Sequence, residues 1–254
     1  MHVALNCGQG KRTQMEFHIK SEPDQIARYV FCPGDQHRAK RIAEEFDDAV
    51  LVSSERGIMV YSGTYKGIPM TSCGTGMGGP VVAICIEELA NLGADTFIRV
   101  GSCGVFQDHQ EPGDIIIASG TIRAGGTALS YLPLAFPAVP TFEILCAIVK
   151  TAEDLDIPFE VGVGIATDAF YSPCDLISRE VLIRAGVISV EMESDTLFIV
   201  GQYRGLRTGA LYTSDGTSQA IKPEWGMDRY YQGEEQMIKI ALEAMVAIAR
   251  IEAT

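Results

Sequence analysis

Apolar and polar positions along the chain follow two rhythms. Short runs rich in β-branched residues, punctuated by glycine, predict strands over Tyr29 to Cys32, Ala49 to Val52, Ile58 to Tyr61, Ile68 to Cys73 and Thr96 to Val100. Further strands are predicted over Gly113 to Ser119, Val161 to Ala166, Val187 to Val190 and Arg207 to Tyr212. Between them, helical spacing covers Gln36 to Phe46, Gly78 to Leu92, Pro140 to Leu155, Leu176 to Ala185, Met192 to Tyr203 and Glu234 to Ile251. Strands apolar on both faces, alternating with helices, predict a single-domain three-layer α/β/α sandwich around a central mixed sheet. From Glu16 onward there is no linker, repeat or low-complexity segment. Residues 1–14 are polar and unlike the rest, and read as a disordered N-terminal extension to a domain spanning 15–254. Met15 is a candidate second start.

Charge narrows the partners. The 254 residues carry 20 Lys+Arg against 33 Asp+Glu, a net −13. A duplex-binding or anionic-membrane surface needs the opposite sign, so neither nucleic acid nor membrane is an expected partner. No apolar run approaches the roughly 18–20 residues that span a bilayer, and the N-terminus has no signal-peptide pattern. The seven cysteines form no C-x-x-C pair and sit mostly in apolar segments, which points to reduced thiols and a cytoplasmic protein. Cys and His are too scattered for a zinc site, and no metal is expected.

Candidate chemistry lies just after the strands, where open α/β sheets collect ligands. Gly34 follows a strand and Arg38 falls in the first turn of a helix, a plausible anion site. On the segment alone, a plain β–α turn with a solvated arginine is the favoured reading. Thr75 to Gly79 is a glycine-rich turn lacking the Walker spacing. Arg99 stands inside an apolar strand and is followed by Gly-Ser-Cys-Gly. A buried arginine needs a partner, either an oxyanion or a carboxylate. Taken with Gly34 and Arg38, a joint phosphate or oxyanion site is favoured. Glu191, Glu193 and Asp195 open a helix directly after a strand, and one or two of them are expected to face a cleft and accept from sugar hydroxyls. Asp215 ends the last strand, either as a general acid raised by partial burial or as an Asx-turn.

These stretches, CPGDQHRAKRIAE, SGTYKG, GTGMGGP, IRVGSCG, GDIIIASG, TDAFYSP, VEMES and TSDG, together resemble the hexamer-type nucleoside phosphorylase family of bacterial purine nucleoside and uridine phosphorylases. The resemblance runs in family order from about Glu16 to the last helix. It implies phosphorolysis of the N-glycosidic bond, with inorganic phosphate as co-substrate and no cofactor. Gly34, Arg38, Arg99 and Ser102 would bind phosphate. Arg56 and His18 would be lent to a neighbouring subunit, reaching its phosphate and its ribose 5′-hydroxyl. Met192 and Glu193 would hold the ribose, with Phe170 stacked near the base. A homo-oligomer follows, with the dimer as minimum and a hexamer expected. Uridine phosphorylases hold a monovalent cation through a Glu after the equivalent arginine; Gly57 stands there, so no such ion is expected.

The resemblance divides over the base. TIRAGGTALSYLPLAFPAVPTFE and ELANLGADTFIRVG look like uridine phosphorylases. Yet Cys174 and Leu176 stand where that subfamily places the Gln and Arg that read uracil. FYSP and Asp215 look like the purine enzymes, whose aspartate donates to purine N7, and Arg229 would match the arginine that assists it. Purine nucleosides are therefore the expected substrates and uridine the alternative. The three arginines argue against a hydrolytic nucleosidase and against a non-catalytic nucleoside-binding protein. The segment Gly216 to Tyr231, with Trp225 and Arg229, fits a mobile lid over the base and equally fits a carrier of uracil contacts. Arg99→Ala is expected to cut turnover while leaving the fold intact.

Overall fold

A computed structural model describes residues 15–173 and 177–253. Its elements are β1 (Tyr29–Phe31), α1 (Gln36–Glu44), β2 (Val50–Ser53), β3 (Val60–Tyr65), β4 (Ile68–Cys73), α2 (Gly79–Asn91) and β5 (Thr96–Val105). They continue with β6 (Ile115–Ala124), α3 (Phe142–Asp154), β7 (Phe159–Thr167), α4 (Arg179–Arg184), β8 (Ser189–Glu191), α5 (Ser194–Arg204), β9 (Arg207–Ser214) and α6 (Met227–Glu252). The proposed extension at 1–14, and Cys174 and Leu176, lie outside the described residues.

The strands form one mixed sheet in the order β2-β3-β4-β1-β5-β8-β7-β6-β9. β5 also pairs in parallel with β9 along its length, so the second half of the sheet closes on itself. One apolar layer packs α2 and α5 on the sheet through residues such as Leu89, Leu197 and Phe198. The other packs α1, α3 and α6 through Ile42, Ile148 and Met245. The three layers read from the sequence are present, and each fully buried Phe or Leu here contributes roughly 1.5–3 kcal/mol. Among the described residues no helix is long and apolar enough to cross a membrane.

Register matters most at one end of the sheet. β5 continues past the expected end at Val100 through the Gly-Ser-Cys-Gly stretch, because β9 and β8 flank it. Ser214 of β9 lies opposite Cys103, and Val190 of β8 opposite Gly104. Ala166 of β7 lies opposite Glu191. The ends of β7, β8 and β9 therefore meet around Ser102 and Cys103 of β5.

The expected lid is shorter than Gly216 to Tyr231, because α6 already begins at Met227. Its first turns pack tightly: a side chain at Gly233 would begin 2.3 Å from the Gly113 carbonyl oxygen, so only glycine permits this approach.

Candidate active site

The turn after β1 leads into α1, whose N-terminus is capped by its own Asp35. That carboxylate accepts from the His37 and Arg38 N–H groups at 3.0 and 3.2 Å. The helix N–H groups read as anion donors thus already have a partner. Arg38 is not solvated; it is buried and fixed at three points. Its Nε donates to Glu234 at 2.5 Å, Nη1 to the Val100 carbonyl at 3.2 Å and Nη2 to the Tyr230 hydroxyl at 2.7 Å. Arg41 reaches the other oxygen of Glu234 at 2.6 Å. Glu234 and Tyr230 both come from α6, and neither was singled out from the sequence, because their partner lies far away in the chain.

The carboxylate reading of Arg99 is observed. Its Nε donates to Glu191 at 2.8 Å and its Nη2 lies 2.5 Å from Glu193, in a buried pair on each side. Its Nη1 is buried with no hydrogen-bond partner. A side chain at Gly34 would begin 3.8 Å from that Nη1 and 3.1 Å from the Gly76 carbonyl. The absent side chain leaves a recess beside an unsatisfied cationic donor, as an anion requires. The carboxylates hold the arginine well above its ordinary pKa despite its burial.

Glu191 is a hub that the sequence marked only as facing a cleft. It also accepts from the Glu193 and Ser194 N–H groups at 2.9 and 3.0 Å and from the Ser194 hydroxyl at 2.6 Å. Glu193 accepts from the Gly78 N–H at 2.6 Å, at the start of α2, where the helix dipole favours negative charge. Burial nonetheless raises the Glu193 pKa, with Arg99 opposing and Glu191 adding to the rise. Truncating Arg99 would leave two buried carboxylates facing each other without a cation. The expectation that Arg99→Ala spares the fold is therefore corrected.

Asp215 follows β9, its N–H bonded to the Cys103 carbonyl at 3.0 Å. Burial raises its pKa, opposed chiefly by Lys222, whose ammonium lies 3.5 Å away. Arg229, expected beside Asp215, instead lies 3.7 Å from both Glu111 and Asp114 with its side chain half exposed. As the fourth-last residue before Gly233 on a fixed helix turn, it is directed to the β5–β6 connection. The cation at Asp215 is Lys222. A cavity of about 330 Å³ lies between α1 and the 216–231 segment, lined by Asp215, Lys222, Met227, Tyr230 and Tyr231 among others. That volume lies at the lower end of the range typical of small-molecule sites.

Met192 is half-buried between the two glutamates. Phe170 is exposed in the segment after β7, edge-on to Tyr171 with centroids 4.9 Å apart. Ser102 lies on β5, close to Tyr230. His18 makes its contact away from these groups. His18 Nδ1 lies 2.6 Å from Glu88, near the far end of α2. Nine residues separate Glu88 from Gly79, about 13 Å along a helix axis. Arg56 is exposed in the turn after β2 with a left-handed φ of 54°.

A second buried arginine was not picked out. Arg123, in apolar β6, donates to the carbonyls of Ala128, Leu132, Pro133 and Phe136 at 2.6–3.0 Å. It organises the 127–137 loop from within. The signal, a charge inside an apolar strand, is the one that flagged Arg99.

Two caged arginines, a buried carboxylate pair beside one of them and an acid at the end of β9 form an arrangement with donors for an anion and acceptors for hydroxyl groups. Comparison with known proteins is consistent with this arrangement. The phosphorylase superfamily model matches residues 28–247. The chain is 36% identical to a uridine phosphorylase of Thermococcus kodakarensis, covering 92% of this chain and 87% of that one. It is 35% identical to a guanosine phosphorylase of Halorubrum lacusprofundi, covering 91% and 98%. The crystal structure of uridine phosphorylase from Vibrio fischeri superposes with a TM-score of 0.88 at 31% identity, covering 92% and 98%. The chain belongs to the phosphorylase superfamily and is a nucleoside phosphorylase, a pentosyltransferase.

Proposed function

We propose that the enzyme cleaves uridine with inorganic phosphate, giving uracil and ribose 1-phosphate, without a cofactor. The observation that carries the chemistry is the Arg99 guanidinium, which presents an unpartnered Nη1 at Gly34 and shares its other donors with Glu191 and Glu193. One group thereby links an anion recess to a carboxylate suited to the ribose 2′ and 3′ hydroxyls. Phosphate held by Gly34, Arg38, Arg99 and Ser102 attacks C1′ as the bond to the base breaks. The new C–O bond forms on the phosphate oxygen, and the base leaves with the glycosidic electron pair and takes up a proton. The fixed guanidinium groups place the nucleophile, whose negative charge also steadies the oxocarbenium-like sugar.

Uridine is favoured over the purine expectation by the relatives, since uridine phosphorylases predominate among those compared. The loop built around Arg123 is the segment whose sequence looks most like that subfamily. A second reading, guanosine or inosine, rests on Asp215, whose raised pKa suits donation to purine N7.

The working unit is proposed to be an oligomer of at least a dimer, and a hexamer by family resemblance, with His18 and Arg56 completing a neighbour's site. The placement of His18 at Glu88, near the end of α2 far from Gly78, supports this, as do Phe17 and Val50, apolar residues near His18 and Arg56 in the sequence left 81% and 60% exposed. A reducing, cytoplasmic setting is supported by Cys32, Cys73, Cys85 and Cys103, which are buried free thiols. The test is a panel of uridine, guanosine, inosine and adenosine with and without phosphate, with chromatography of the released base. Base release that does not require phosphate would overturn phosphorolysis. Negligible uridine cleavage with efficient purine cleavage would reverse the substrate order.

A further inference from the structure

Tyr230 is the fourth residue of α6, and its hydroxyl accepts from Arg38 Nη2 at 2.7 Å. Ser102 lies near the same ring. Arg38 is one of the groups assigned to phosphate, and here its Nη2 is turned onto this phenolic oxygen. We propose that the Tyr230 hydroxyl holds the place of a phosphate oxygen and is displaced when the anion binds, which makes Tyr230 a specificity-determining residue of the site. This rests on the phosphorylase reading above and adds to it a residue that competes with the nucleophile.

The geometry selects which contact gives way. Arg38 Nε is locked to buried Glu234 and Nη1 to the Val100 carbonyl. Breaking either would strand a buried charge or a backbone acceptor. The bond to Tyr230 joins the guanidinium to a neutral hydroxyl on a partly buried side chain, and it is the contact that an anion replaces at least cost. The backbone beneath the ring is held, since the Arg229 carbonyl and Gly233 both abut Gly113. Exchange is therefore a rotation of the ring rather than a movement of the helix. Space for it exists in the adjoining cavity of about 330 Å³, which Tyr230 itself lines.

Displacement has a chemical consequence. A dianion with several strong acceptor oxygens outcompetes the hydroxyl at Arg38, whereas a single neutral water gains little over it. Tyr230 then discriminates phosphate from water as nucleophile. Tyr230→Phe removes the competing oxygen and keeps the ring. The expected result is a phosphate KM lowered roughly threefold to tenfold, as the loss of one competing hydrogen bond allows, with the nucleoside KM unchanged. Calorimetric titration of inorganic phosphate into both proteins without nucleoside should show the same tightening. A phosphate KM or Kd that rises would make Tyr230 an ordinary phosphate ligand, and one that does not move would make its contact with Arg38 merely structural; either overturns the proposal. Wild-type protein that neither binds phosphate nor requires it for turnover would instead overturn the underlying phosphorylase reading, and this inference with it.

Discussion

Asp195→Asn should stabilise the protein at alkaline pH and leave its stability nearly unchanged in acid. Asp195 is 1% exposed at the start of α5. Its Oδ1 accepts from the Thr196 N–H at 2.5 Å and hydroxyl at 3.1 Å, but its Oδ2 is buried without a partner. Both nearby charges are negative. Glu191 adds to the strain, and Asp168 approaches across Gly125, whose missing Cβ would lie 2.9 and 3.1 Å from the Asp168 and Asp195 oxygens. Burial first, then Glu191, raises the Asp195 pKa from the ordinary 3.8 to about 6. At about 1.36 kcal/mol per pKa unit, the rise corresponds to roughly 3 kcal/mol. The sign follows from proton binding. The folded state holds the proton more tightly, so this group's stabilisation is complete below about pH 3.8 and lost as pH rises through about 6. Asparagine cannot ionise, and its amide can donate to Asp168. Allowing for imperfect amide geometry, a gain of about 1–3 kcal/mol at pH 8 is expected, or roughly 2–10 °C in Tm for a domain of this size. Thermal unfolding followed by circular dichroism at pH 8 and pH 4.5 measures it. A variant destabilised equally at both pH values would refute the reasoning, since the buried charge would then not be the cost.

Arg99→Ala should lower stability by about 3–5 kcal/mol, read as a fall in Tm, because Glu191 and Glu193 lose their shared cation; phosphate-dependent turnover should fall with it. Part of that loss should be recovered in acid, where the stranded carboxylates protonate. Asp215→Asn should cost about 10²–10⁴ in turnover of guanosine or inosine if the acid donates to the purine, and should remove the alkaline limb of the pH–rate profile, since a raised carboxyl loses its proton as pH climbs. Mixing Arg56→Ala with Glu193→Gln subunits, each poorly active alone, should restore activity at sites built from one wild-type contribution of each kind. Activity equal only to the sum of the separate variants would contradict shared sites.

The parts of the site that were legible in the sequence are those whose signal is local. Arg99 stood out because a charge in an apolar strand must be explained within the strand. Glu191, Glu193 and Asp215 stood out because they directly follow strands. Gly34 was visible as a turn residue. On its own segment Arg38 was read as solvated, because its partner Glu234 lies 196 residues away and nothing near Arg38 announces it. The extent of β5 was missed for a related reason: glycines at 101 and 104 signal a turn locally, but β9 and β8 hold the chain extended there. The start of α6 was hidden because Asp228 to Gln232 are mostly exposed and show no apolar stripe. The same misreading left Arg229 on a lid rather than on a helix turn facing Glu111 and Asp114.

The cations around the proposed phosphate recess are already matched. Arg38, Arg41 and Arg99 face Asp35, Glu191, Glu193 and Glu234, so three guanidinium groups meet four carboxylates within one chain. Such cages fix donor direction well, but they leave little net positive potential for a dianion. A further cation would change that balance more than a further hydrogen bond would. Arg56, exposed and free of the cage, is the group the proposed oligomer would bring. On this reasoning, the buried arginines supply orientation and the neighbouring subunit supplies the missing charge. Phosphate affinity should then follow the oligomeric state, even though the groups that aim the nucleophile all belong to one chain.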